Sequence, residues 1–94
     1  MSTATKFAQM LKDILPEGSH IEGSVQENKH YTDYGFTATL EDVEDTPVLI
    51  PSELEDLRKK MKARYFFVYP SRPVNPYEIR LYFYIVVEKE TDHE

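Results

Sequence analysis

The chain has 94 residues, a formal charge of −6 and no cysteine, with 40% hydrophobic and 13% aromatic residues. This length allows one domain with a modest core, and the composition is too apolar for disorder. The absence of thiols excludes disulfides, thiol catalysis and thiolate metal sites, while the acidity disfavours direct binding to nucleic acid or an anionic membrane.

No apolar run approaches the roughly 18 residues of a membrane span. The stretch MSTATKFAQMLKDIL lacks the hydrophobic segment and small-residue cleavage site of a secretory leader. A single domain over residues 1–94 and a cytoplasmic location are therefore expected. Residues 88–94, EKETDHE, are expected to be a frayed charged tail.

In chain order, Phe7, Leu11 and Ile14 recur at helical spacing, flanked by Met10 and Leu15. They predict a helix over residues 5–15, capped by Thr3 or Thr5 and ended by Pro16. HIEGSV and HYTDYGFTATLE then alternate in character and predict two strands joined around Glu27, Asn28 and Lys29. In the second strand Tyr34, Phe36, Ala38 and Leu40 share one face, opposite Asp33, Gly35, Thr37, Thr39 and Glu41. Gly35 in mid-strand predicts a bulge or the close approach of another backbone.

After an acidic loop, Ser52 followed by Glu55 reads as a capping box for a helix over residues 53–63, with Leu54, Leu57 and Met61 as its buried stripe. Acids at its start and Arg58, Lys59, Lys60 and Lys62 after them complement the helix dipole. Pairing of Glu55 with Lys59 and of Asp56 with Lys60 would add i,i+4 support.

RYFFVYP and YEIRLYFYIVVE, joined by SRPVNP, hold most of the strong β-formers and predict a long hairpin at the centre of the sheet. Ile79, Leu81, Phe83, Ile85 and Val87 form an apolar row facing the core. The expected fold is α+β in the order α-β-β-α-β-β, a four-stranded and mainly antiparallel sheet with two helices packed on one face. The two αββ halves share a plan but no residue-level repeat.

That arrangement leaves a second sheet face carrying Tyr65, Phe67, Tyr69, Tyr82 and Tyr84. If uncovered, these rings form a platform of the kind that marks a protein interface. They could instead lie as cross-strand pairs on a solvated face, or beneath the N-terminus or the VLI segment. A single-stranded nucleic-acid platform would need surrounding cations, and only Arg64, Arg72 and Arg80 are near in sequence.

The block from Glu41 to Asp56 includes Glu41, Asp42, Glu44 and Asp45 and contains no Lys or Arg. It could present carboxylates to a basic groove, or simply solvate a loop and a helix start. It lacks the spacing of a calcium loop, so no metal is expected, and no motif implies a cofactor. Arg72 sits in the stiff SRPVNP connection, a projecting contact element. RKKMKAR could contact phosphate, although balancing nearby acids after an acidic helix start is the simpler account.

His20, His30 and His93 have no motif spacing to a nucleophile, and no phosphate loop or G-x-S-x-G occurs. A pair of His30 with Asp33 is the remaining catalytic combination, for which surface residues beside a turn are the simpler account. The expectation is a non-enzymatic protein-binding module that uses the aromatic face, the acidic block or both, with Arg72 as a further contact residue. Its expected partner is a protein, basic or nucleic-acid-binding. Compact acidic domains of this kind suit inhibitors that a phage or mobile element directs at a basic surface of host nucleic-acid machinery. The alternatives are a homo-oligomeric assembly protein joined through the tyrosines and, below it, a small enzyme or single-stranded nucleic-acid binder.

Overall fold

A computed structural model describes residues 2–41, 51–72 and 78–89. Its elements are α1 (Thr3–Ile14), β1 (His20–Glu27), β2 (Tyr31–Glu41), α2 (Pro51–Met61), β3 (Tyr65–Ser71) and β4 (Glu78–Glu88). The four strands form one antiparallel sheet in the order β1-β2-β4-β3, and the class is α+β as expected.

Helix α1 begins two residues earlier than its periodicity indicates. Ser2, rather than Thr3 or Thr5, is the cap, its hydroxyl accepting from the Thr5 N–H at 3.1 Å. Pro16 ends the helix by forcing Leu15 into extended backbone, at φ −105 and ψ 158. Phe7 and Leu11 are buried along its length, and Leu15 is buried just beyond it.

Helix α2 also starts early, with Pro51 at its first described turn, where the missing N–H costs nothing. Ser52 then lies inside that turn, and no capping box forms. The Glu55 carboxylate turns instead to Arg58, whose Nε donates to it at 3.0 Å, so the direct pair is i,i+3 and not the expected i,i+4 pair with Lys59.

The end of α2 at Met61, two residues short of the expected 63, has a clear cause. Lys62 takes the left-handed conformation at φ 56, with its N–H donating to Lys59 O at 3.1 Å. The Ala63 N–H reaches back to Arg58 O, also at 3.1 Å. These two bonds make a Schellman cap, a position that favours glycine. Lys62→Gly should therefore stabilise the domain by about 1 kcal/mol, raising Tm by roughly 4–8 °C in circular-dichroism melts.

Both helices cover one sheet face. Tyr34, Phe36, Ala38 and Leu40 of β2 and Phe83 and Ile85 of β4 point into it, joined by Phe7 and Leu11 from α1 and Leu57 and Met61 from α2. Phe7 meets Tyr34 edge to face at 5.0 Å. The parities read from the sequence are the ones observed.

The β3–β4 hairpin is not the centre of the sheet. Its second strand is central, between β2 and β3, while β3 is an edge. Burial explains the difference: β4 has Phe83, Ile85 and Val86 buried, whereas no residue of β3 is. Pro70, which has no N–H for a ladder bond, suits an edge. Of the expected frayed tail, Glu88 pairs with Tyr31 and the Lys89 N–H donates to His30 O at 2.9 Å, while residues 90–94 lie outside the described residues.

Gly35 makes neither a bulge nor a backbone contact. Its register is unbroken, opposite Ser24 on β1 and Tyr84 on β4. What comes close is the side chain of Tyr82: a Cβ at Gly35 would stand 3.1 Å from Tyr82 Cζ and overlap its hydroxyl. On the other face Gly23 does the same for Phe36, whose ring would lie 2.7 Å from a Cβ there.

Candidate functional site

The side of the sheet away from the helices is built from the second parity of each strand. Strand β3 contributes Tyr65, Phe67 and Tyr69, and β4 contributes Tyr82, Tyr84 and Val86. Strand β2 adds Tyr31, Asp33 and Gly35, which face Glu88, Val86 and Tyr84 across the ladder. Both helices lie on the opposite side, so among the described residues no element covers these rings. Tyr65, Phe67 and Tyr69 are 45%, 41% and 48% exposed.

The five expected rings come together as one stack. Tyr65 and Phe67 lie 5.8 Å apart at 12°, Phe67 and Tyr84 6.4 Å apart at 18°, and Tyr82 and Tyr84 6.5 Å apart at 16°. Tyr69 joins through Phe67 at 6.0 Å. Near-parallel rings at these spacings hold one another's rotamers, so a partner meets a preformed apolar surface. The glycine at position 35 leaves room over β2 for the end of the Tyr82 ring, which a Cβ there would overlap.

At the β2–β4 end the platform dips into a shallow cavity of about 440 Å³. Tyr65 and Phe67 form one side, Tyr84 and Val86 the bottom, and Tyr31 and Asp33 the other side. Asn28 Nδ2 donates to Asp33 Oδ2 at 2.8 Å and so fixes the carboxylate. Burial pushes the Tyr84 hydroxyl above its ordinary value of 10.0, and its hydrogen bond to Asp33 pushes the same way.

A raised phenol value means that the folded state holds this proton more tightly than the unfolded chain. The contribution to stability is complete below the unfolded value and disappears as pH rises through the folded one. In an alkaline titration followed by tyrosinate absorbance, Tyr84→Phe should remove a component that ionises above the ordinary value of 10.0.

Arg64 closes the rim. Its guanidinium carbon stands 5.6 Å over the Tyr65 ring, and its Nη1 reaches Glu88 Oε1 at 3.2 Å. The hydrogen bond to the Tyr65 hydroxyl, then the nearby negative charge including Glu88, raises its already high value.

The opposite end of the same face is polar. A second cavity of about 500 Å³ is lined by His20, Thr37, Thr39, Glu41 and Arg80 among others. Glu78 is buried there, with Arg80 Nε at 3.2 Å from Oε1, although Arg80 Nε makes no hydrogen bond. His20 lies 3.4 Å from Glu22, both well exposed. Among the described residues no three His, Asp or Glu side chains converge as a metal-binding group.

The remaining expected site residues do not join the aromatic stack. Glu41, exposed at the end of β2, is eight positions along the strand from Asp33, roughly 26 Å at about 3.3 Å per residue. Arg72 is exposed just past β3, at that same polar end. Asp42, Glu44 and Asp45, most of the SRPVNP connection and His93 lie outside the described residues. His30 is exposed, and the Asp33 carboxylate is engaged by Asn28 and Tyr84.

Tyr31, Asp33 and Asn28 had not been assigned to the platform from the sequence. Their shared signal is parity with Gly35 for the first two, but only the β2–β4 pairing brings that parity beside the tyrosines. No protein-family model, curated protein or solved structure matches the chain.

Proposed function

We propose that the protein is a non-enzymatic binding module whose aromatic sheet face docks a protein partner with a basic surface. The observation that carries this reading is the uncovered stack of Tyr65, Phe67, Tyr69, Tyr82 and Tyr84, three of them 41–48% exposed. Contiguous exposed aromatic surface with polar tips is the composition of interface hot spots, and its mutual stacking lowers the entropy lost on binding. The charge of −6 supports a basic partner through steering, and the phosphate-binding surface of nucleic-acid machinery is one such target. Occupying it would be inhibitory.

The test is a capture from source-cell lysate with the wild-type domain, a Phe67→Ala/Tyr69→Ala variant and a helix-side Lys6→Ala control, with light scattering on each. A partner retained by the control and reduced at least about tenfold by the face variant is the expected result, the size expected for losing two anchor residues. Equal capture by all three overturns the reading. A salt-resistant dimer that the face variant dissociates would assign the platform to self-association instead.

A further inference from the structure

The cavity at the β2–β4 end of the platform differs from the rest of the aromatic face because it contains a fixed carboxylate. We propose that it is a slot for one arginine side chain of a basic polypeptide partner, with the guanidinium lying along the Tyr65–Phe67–Tyr84 rings and donating to Asp33. This rests on the binding-module reading above and specifies what that face recognises.

Three observations converge on it. The Asp33 carboxylate lines a mainly aromatic cavity of about 440 Å³. One of its oxygens accepts from Asn28 at 2.8 Å and the carboxylate also takes the Tyr84 hydroxyl, so the group is oriented before any ligand arrives, with lone pairs left for a further donor. A carboxylate among rings attracts a cation and repels phosphate, which excludes a nucleotide as occupant.

The wall rings are also close to parallel, at 12° for Tyr65 with Phe67 and 18° for Phe67 with Tyr84. They are stacked on one another, and none of the three is set across the others to close a box. A planar guanidinium can lie parallel to these rings and offers forked donors to a carboxylate, whereas an ammonium is a compact, strongly hydrated point charge with no plane to stack.

The chain makes this contact once with its own residues. At the rim, the Arg64 guanidinium sits 5.6 Å over Tyr65 while its Nη1 meets the Glu88 carboxylate at 3.2 Å. The proposed slot repeats that ring-and-carboxylate arrangement one strand pair inward, with Asp33 in place of Glu88 and the cation supplied from outside. Arg64 is paired with Glu88, and among the described residues Asp33 has hydrogen bonds from neutral groups but no ion pair.

The experiment is a titration of the ¹⁵N-labelled domain with an acetylated, amidated Gly-Arg-Gly-Arg-Gly peptide, and with its lysine counterpart of equal charge. Amide shifts should concentrate at Tyr31, Asp33, Phe67 and Tyr84, with the arginine peptide at least about fivefold tighter. Asp33→Asn, which keeps the size of the side chain and whose spectrum reports folding, should weaken it about tenfold. Equal affinity for both peptides, shifts centred on the acidic start of α2, or no saturable shift at millimolar peptide overturns the slot. If that happens while Phe67→Ala/Tyr69→Ala still abolishes partner capture, the docking face stands and the arginine falls. If capture also survives the face variant, both fall.

Discussion

Phe83→Ala is expected to cost about 3–5 kcal/mol, the range for removing a buried phenylalanine and leaving a cavity. Phe83 is 0% exposed at the middle of the central strand, with Phe36 opposite on β2 and Val68 opposite on β3. Its ring also lies 6.1 Å from that of Phe66. Three strands therefore meet on one side chain, and none can close over the gap without shifting the other two. A domain of this length has a total stability of roughly 5–14 kcal/mol. The melting temperature should fall by roughly 15–30 °C, or the domain should fail to fold at 37 °C. Tyr69→Ala provides the comparison: also an aromatic in the β3–β4 hairpin, but 48% exposed on the other face, it should cost less than about 1 kcal/mol. Similar losses at the two positions would contradict the two-faced sheet.

The second large effect is conditional. Gly35→Ala puts a Cβ where the Tyr82 ring end lies, and in a central strand with unbroken register the backbone cannot step aside. Overpacking of this kind costs about 1–3 kcal/mol. In a Tyr82→Ala background the same substitution should change sign, stabilising by about 0.4–1 kcal/mol, because alanine restricts the unfolded chain more than glycine does. Urea unfolding of the four proteins measures the coupling directly. Additive effects would mean that Tyr82 does not occupy the space above Gly35. The single variant should also disturb partner capture, since Tyr82 stacks on Tyr84 at 6.5 Å and cannot move alone.

Much of this architecture was legible in the chain because period-two and period-3.6 patterns report directly which side of an element meets the core. The rows in β2 and β4 alternate cleanly, and Leu57 and Met61 mark the inner side of α2 whatever caps it. Parity says nothing, however, about which strand lies beside which. That is why the β3–β4 hairpin was expected at the centre, and why Tyr31 and Asp33 could not be joined to Tyr65 and Tyr84. Helix starts misled for a related reason. Ser2 carries the same hydroxyl as the expected caps Thr3 and Thr5, so side-chain chemistry alone does not choose among them, and Ser52 with Glu55 fits a capping box until Arg58 offers the carboxylate a charged partner.

The two glycine–aromatic contacts have a bearing on folding as well as on packing. Phe36 and Gly35 are neighbours on β2, and they reach in opposite directions: the ring to Gly23 of β1 on the helix side, the gap to Tyr82 of β4 on the open side. A two-residue slip of β1 against β2 would preserve every inside–outside assignment, but would set Ile21 or Val25 under Phe36 where only a glycine fits. A slip of β4 against β2 would likewise carry Tyr82 off its gap and onto Asp33 or Thr37. Strand β2 is thus keyed to both neighbours at one level of the sheet, and misregistered pairings that satisfy hydrophobicity alone are rejected by shape.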